Sequence, residues 1–460
     1  MFIFINAEGL GESMEKRGQF ASKFGFIMAS VGSAVGLGNL WGFPYKAGMG
    51  GGFAFIVAYL VFVALVGIPV MMCEFSFGRK VKANVITVYK TLDKRFGFAG
   101  YVSVVSVSLI LGFYAVLGGW IINYTLQYAK GLFASGNAVA NPGEYFGVFT
   151  SSPYLGIIFF VLFMAATVFI VTKGIAGGIE KASKFMMPAL FVCLLVIIIR
   201  SVTLPGAAAG FEFLFKPDIS KLTPKTLGLA LSQMFFSCSL GVGTMLTYGS
   251  YLKDSDNIQE NAIIVPLMDT MAAILAGIAI FPAVFALGLD PAQGPALMFI
   301  TLPGVFNQMP MGNIFGLIFF VLVLFAALTS SISMLEVTTS VLSETKGISR
   351  NKAAIGTGAV ITLLGIPVAL SFGLLGDVTI LGMGMLDFYD FCGEYIGMTI
   401  GALVIVILAG WVLKPKAVYD EIEQGGEFSV KAKGFFSFTI KFIAPILILI
   451  VMITNVISMF

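Results

Sequence analysis

Apolar residues run in blocks of roughly twenty along almost the whole chain, with short charged clusters between them. Blocks of that length can cross about 30 Å of hydrocarbon as helices. They are continuous rather than alternating, so a membrane β-barrel, with strands of alternating polarity, does not fit. Spans can be read at roughly 20–44, 53–78, 97–130, 153–172, 179–201, 226–252, 260–288, 313–344, 353–373, 383–413 and 437–459. The pattern predicts an all-α polytopic membrane protein of about eleven transmembrane helices. No polar stretch is long enough for a separate soluble domain; 203–225, 289–312 and 414–436 read as connections.

Two blocks carry the same flaw. The first contains AVGLGN at 34–39 and the sixth SLGVGT at 239–244, each a G-x-G followed by a small polar residue near mid-membrane. Glycine inside a helix costs about 1 kcal/mol relative to alanine and invites local unwinding. Unwound backbone in hydrocarbon needs substitute partners: cations on freed carbonyls, an anionic group on freed N–H groups. Close helix packing through small residues is the competing reading of a single G-x-G. Two at positions five spans apart imply a five-plus-five repeat, and an odd number of spans inverts the second copy. The expected organisation is a cytoplasmic segment over 1–19, a first repeat over 20–201, an inverted second repeat over 226–413 and an additional helix over 437–459.

Composition agrees with this reading and narrows the chemistry. The chain is 58% hydrophobic and 11% charged, and it has no histidine. Of its 27 Lys and Arg residues, 21 fall on one set of connections, which puts the N-terminus in the cytoplasm of a cell-membrane (bacterial inner-membrane) protein. The net charge of +3 is therefore a topology signal and calls for no nucleic-acid partner. The start MFIFI lacks a basic flank, so no cleaved signal is expected, and Met1 and Met14 are both candidate starts. Cys73, Cys193, Cys238 and Cys392 have no C-x-x-C spacing and read as small buried residues. Without histidine, the usual zinc sites and imidazole triads are excluded, and no organic cofactor or enzyme chemistry is expected.

Oxygen ligands for a hard monovalent cation are available at mid-membrane. They are Ser33 and Asn39 in the first span, Ser237, Ser239 and Thr244 in the sixth, and the LTSSIS run at 328–333 in the eighth. Ionisable residues inside spans are costly and mark function. Asp269 sits in the seventh span with no basic residue near it in sequence, so cation proximity is expected there. Glu74, Glu336, Asp387, Asp390 and Glu394 are further examples, with local hydrogen bonding or snorkelling as the alternative for Glu74 and Glu394.

At these residues the chain closely resembles the neurotransmitter:sodium symporter family, especially its bacterial amino-acid transporters. The likeness is carried by SKFGFIMASVGSAVGLGNLWGFPY, GGGFAFIVAY, FYAVLGGW, SQMFFSCSLGVGTMLTYGSYL and FAALTSSISMLE. It implies the leucine-transporter fold of two inverted five-helix repeats with broken first and sixth helices. It also implies two sodium ions and an amino-acid substrate. One sodium would meet Ala34, Asn39, Ser237 and Asp269; the second would meet Gly32, Val35, Ala326, Thr329 and Ser330. The substrate carboxylate would meet the Leu37 and Gly38 N–H groups and Tyr114, and its ammonium would meet Ala34, Phe236, Ser237 and Ser239. Ile110, Tyr114, Phe236, Val242, Ser330 and Met334 would enclose the side chain, with Phe236 as lid. Arg17 and Glu344 match an inner ion-pair gate, and Gly178 to Pro188 matches a Gly-x9-Pro motif linked to unwinding of the fifth helix.

Three departures from the family pattern carry expectations of their own. Gly42 stands where an arginine usually closes the outer gate on the aspartate at Asp390; Lys46, one turn later, is the candidate substitute. Asp269 takes a position that is asparagine in many members, and Ala273 matches the serine used by chloride-dependent ones, so no chloride requirement is expected. Val242 replaces a bulkier residue, which favours a large apolar or aromatic substrate. The rival readings are a same-fold carrier of another small solute and a non-transporting amino-acid sensor. The residues leave the oligomeric state open.

Overall fold

The first apolar block runs as a regular helix only as far as Ala34. In the computed structural model, which describes residues 18–288 and 297–457, α1 (Lys23–Ala34) and α2 (Gly38–Met49) meet at a 50° bend. The helix then continues past Pro44 to Met49, five residues beyond the predicted boundary. Pro44 comes directly after a π-helical stretch, Gly38–Gly42, and stands at the start of the α-helical part Phe43–Met49, where its missing N–H is tolerated. The sixth block is likewise split, into α7 (Pro224–Ser237) and α8 (Thr244–Gly249), with 238–243 unwound. Ser239, Gly241 and Gly243 there have φ of 52°, 82° and 84°. Glycine adopts those angles freely, whereas Ser239 is strained.

Nine unbroken helices among the described residues are long and apolar enough to cross a membrane. In chain order with the broken pairs they are α3 (Phe53–Val81), α4 (Lys94–Gly131), α5 (Pro153–Thr172), α6 (Ile175–Val202), α9 (Ile258–Ala286), α10 (Gly312–Lys346), α11 (Arg350–Leu370), α12 (Met385–Val412) and α13 (Lys433–Ile457). The first five spans thus end at Val202 and the second five run from Pro224 to Val412, each set opening with a broken member. This is an all-α polytopic membrane fold.

The centre is built from α1, α4, α6, α9 and α10, which pack on one another, while α11 covers α4 and α5. In α4, 78% of the apolar stretch is buried; in α13 only 22% is, so α13 is peripheral. Large apolar side chains such as Leu195, Ile199, Leu363 and Ile453 face outward. On a soluble protein they would be a liability, but against lipid they are matched. Two buried ion pairs tie separate segments together. Arg79 bonds Glu421 at 2.7 Å, and Arg350 pairs with Glu336, which also accepts the Tyr251 hydroxyl at 2.6 Å.

Candidate functional site: two helix breaks around one cavity

At the first break the regular ladder stops with Val35 N–H on the Val31 carbonyl, at 2.6 Å. The next two amides turn elsewhere: Gly36 N–H to Asn39 Oδ1 at 3.0 Å and Leu37 N–H to the Tyr114 hydroxyl at 3.2 Å. The carbonyls of Gly32 and Ser33 therefore lose their helical donors. Hydroxyls replace them, with Ser330 Oγ 3.2 Å from both and Ser239 Oγ 3.0 Å from Ser33. Asn39 N–H bonds Gly36, so the Val35 carbonyl is also released from the ladder. This is how hydrocarbon-depth backbone stays satisfied without a continuous helix.

Asp269 of α9 is the second anchor, and none of its surface is exposed. Its Oδ1 accepts Asn39 Nδ2 at 2.7 Å; its Oδ2 accepts Ser237 Oγ at 2.7 Å and the Tyr59 hydroxyl at 3.1 Å. No ion pair to it forms among the described residues, so its buried charge is held by neutral donors alone. Gln233 Nε2 bonds the Gly38 carbonyl at 2.8 Å, linking α7 to the start of α2.

Between the breaks lies a cavity with about 450 Å³ of atom-free space. Ala34, Leu37 and Gly38 line it from the first span, Ile110 and Tyr114 from α4, and Phe236, Ser237, Ser239 and Val242 from the sixth. Ser330 and Met334 of α10 complete the set, so all eleven residues picked for the substrate border one space. Ser33, Gly36 and Met398 border it as well. Gly32 lies against α10, where a Cβ would come 2.9 Å from Thr329 Cβ. Of the α10 residues picked for the second ion, Ser330 reaches the Gly32 carbonyl, at 3.2 Å. Thr329 Oγ1 bonds back to Phe325 and Ala326.

The gate residues are less simply arranged. Glu344 accepts from Asn84 N–H at 2.8 Å and Nδ2 at 2.9 Å, while Arg17 lies outside the described residues. Lys46 forms no ion pair within 4 Å among the described residues; Asp390 and Glu394 lie near it on α12, and Asp390 Oδ1 is buried without a partner among those residues. Gly42 faces Gln233, whose Oε1 has no partner among the described residues.

Tyr59, Gln233 and Met398 are the site residues that sequence reading missed. A tyrosine or methionine inside an apolar block carries no local signal of its partner. Glu74 and Glu336 are resolved as bound groups: Glu74 Oε1 accepts Gly241 N–H at 2.7 Å, and Glu336 takes Arg350 and Tyr251.

A helical membrane protein with paired breaks around a shared, largely apolar cavity is built as a carrier of small solutes. The chain belongs to the Sodium:neurotransmitter symporter family, whose model matches residues 17–135 and 155–460. It is thus a sodium-dependent membrane transporter and not an enzyme. A sodium-dependent transporter of Bacillus subtilis, YhdH, is 40% identical over 444 residues, covering 95% of this chain and 98% of the relative. A sodium-dependent transporter of Haemophilus influenzae is 37% identical, covering 96% and 98%. Among solved structures, MhsT in complex with L-phenylalanine is 42% identical with a TM-score of 0.87, covering 95% of this chain and 99% of that one.

Proposed function

We propose that this transporter couples two sodium ions to the uptake of a neutral L-amino acid with a large apolar or aromatic side chain, by alternating access. The observation that carries the reading is the convergence of both breaks on one cavity. Leu37, Gly38 and Tyr114 line it as partners for a carboxylate, and Ala34, Phe236, Ser237 and Ser239 line it as partners for an ammonium. A zwitterion is the solute class that uses both. That MhsT binds L-phenylalanine supports the side-chain class.

In this reading the first sodium meets Ala34, Asn39, Ser237 and Asp269, and the substrate carboxylate completes its shell. The second meets the carbonyls of Gly32, Val35 and Ala326 with the hydroxyls of Thr329 and Ser330. Phe236 and Tyr114 close over the substrate from outside, with Lys46 and Asp390 above them. Arg17 with Glu344 closes the cytoplasmic end, on the side where the N-terminus lies. Asp269 supplies a fixed negative charge beside the first sodium, so transport needs no chloride.

The driving force suffices. One charge crossing about 100 mV yields about 2.3 kcal/mol, and a tenfold sodium gradient about 1.4. Two ions with a neutral substrate supply about 7 kcal/mol, enough for roughly 10⁵-fold accumulation. The test is uptake into proteoliposomes across the twenty amino acids, with sodium or potassium outside and chloride or gluconate as anion. Uptake of phenylalanine, tryptophan or leucine in sodium gluconate is expected. Indifference to sodium, a need for chloride, or first preference for glycine or alanine would each overturn the corresponding part.

A further inference from the structure

The cavity reaches an element that the paired breaks do not require. Met398 of α12 is 3% exposed and borders the cavity beside Val242. Its position is set by backbone contact. A Cβ on Gly241 would lie 2.1 Å from the Met398 carbonyl oxygen, and a Cβ on Gly401 would lie 1.9 Å from the Gly241 carbonyl oxygen. The unwound stretch of the sixth span is therefore pressed directly onto one turn of α12.

The local winding of α12 decides which residue faces inward. Residues Phe391–Met398 form a π-helical segment that holds one more residue per turn than an α-helix. Relative to uninterrupted α-helix, that extra residue rotates everything after it by about 100°. The segment is clamped on α4: Ser106 Oγ donates to the Gly393 carbonyl at 2.5 Å, and a Cβ on Gly393 would come 2.8 Å from Ile110 Cγ1. Ile110 itself lines the cavity. The clamp and the wide turn together bring Met398 to the cavity wall.

We propose that Met398 is a specificity-determining residue, and that with Met334 it forms a thioether-lined distal end to the cavity that selects amino acids with aromatic side chains. The inference rests on the amino-acid reading above. Val242 leaves room for a ring to extend toward α12, and two flexible, polarizable sulfur side chains accommodate a ring face or edge better than a branched aliphatic group needs. Contact with Met398 also joins the substrate's far end to the helix that carries Asp390.

The experiment is competition binding to the purified full-length protein in saturating sodium, comparing phenylalanine and tryptophan with leucine. Wild type is expected to favour the aromatic ligands. Met398→Ala removes the sulfur contact and lowers aromatic affinity about 2- to 12-fold, with leucine changed less. Met398→Phe fills the distal end and lowers aromatic affinity about 10- to 100-fold while leucine remains bound. Met398→Leu, which conserves volume, keeps the fold and reports the sulfur alone; if Met398→Phe binds nothing, the alanine and leucine variants decide. The half-saturating sodium concentration for leucine stays at its wild-type value in every variant that binds. An unchanged aromatic-to-leucine ratio across the variants that bind sinks the assignment. Failure of wild type to bind any amino acid in sodium would instead sink the functional reading itself.

Discussion

Replacing Asp269 by asparagine tests the charge logic of the site most directly. The substitution preserves shape, and an amide oxygen in the place of Oδ2 still accepts from both Ser237 and Tyr59, now 2.7 and 3.1 Å from it. What disappears is a negative charge with no exposed surface and no cationic side chain paired to it among the described residues. Two unit charges about 4 Å apart at an effective dielectric of about 20 attract by about 4 kcal/mol. Losing that attraction lowers sodium affinity by up to about 10³-fold. The new amide NH2 then faces Asn39 Nδ2, now 2.7 Å from Oδ1, and losing that bond costs a further ~1–3 kcal/mol of folding stability. The assay is amino-acid binding by the purified variant against sodium concentration, run in chloride and in gluconate. Wild type is expected to respond equally in both. In Asp269→Asn the half-saturating sodium concentration rises at least about tenfold in gluconate, and chloride brings it part of the way back by restoring a negative charge near Tyr59 and Ser237. Wild-type sodium dependence of the variant in gluconate would refute the reasoning, because the carboxylate would then contribute nothing to holding the cation.

Three further outcomes follow from the geometry. Ser330→Ala removes the hydroxyl that bonds the Gly32 and Ser33 carbonyls; the half-saturating sodium for uptake should rise about tenfold, a loss of ~1.4 kcal/mol, and an unchanged value would remove Ser330 from the second ion site. Tyr114→Phe takes away the partner of Leu37 N–H and one donor to a bound carboxylate. Amino-acid affinity in titration calorimetry should fall about 10- to 100-fold, with the variant's melting temperature little altered. Gly36→Ala places a Cβ 2.5 Å from Ser330 Oγ and 2.8 Å from the Tyr114 hydroxyl. Binding should be abolished although the protein still runs as a single species in gel filtration, and retained micromolar binding would show that the break relaxes more freely than its packing implies.

The helix breaks were legible because their signal is local and costly. Two G-x-G steps beside polar side chains inside apolar blocks have few tolerable explanations in hydrocarbon. Asp269 was legible for the same reason, as a charge deep in a span. Its partner Tyr59 was not: nothing in FAFIVAYL marks that one tyrosine as a donor to a residue 210 positions away. Arg350 shows the converse error of emphasis. In sequence it is one of many cytoplasmic cations that fix topology, yet in the fold it pairs with the buried Glu336 and also bonds the Val171 carbonyl. Met398 was hidden by periodicity itself. Facing along α12 is counted in steps of 3.6 residues, and the π-helical turn at Phe391–Met398 breaks that count before it reaches the cavity.

The outer end of the cavity shows how one missing side chain redistributes a task. At Gly42 there is no cation, and Gln233 lies against that position, 3.2 Å from where a Cβ would begin, with its Oε1 unpartnered among the described residues. Lys46 stands one turn further out and forms no ion pair within 4 Å among those residues, while Asp390 and Glu394 lie near each other on α12. A lone ammonium near two carboxyl groups is a diffuse attraction, screened by water and salt, rather than a directional clamp. The directional contact lies deeper, where a Cβ on Gly38 would come 2.8 Å from the Phe236 ring and Gln233 holds the Gly38 carbonyl. In the proposed cycle, closure from outside therefore rests on Phe236 as an aromatic lid seated on the first helix break. Because that break also binds the carboxylate of the substrate in the proposed cycle, seating the lid and completing the first sodium site become the same event.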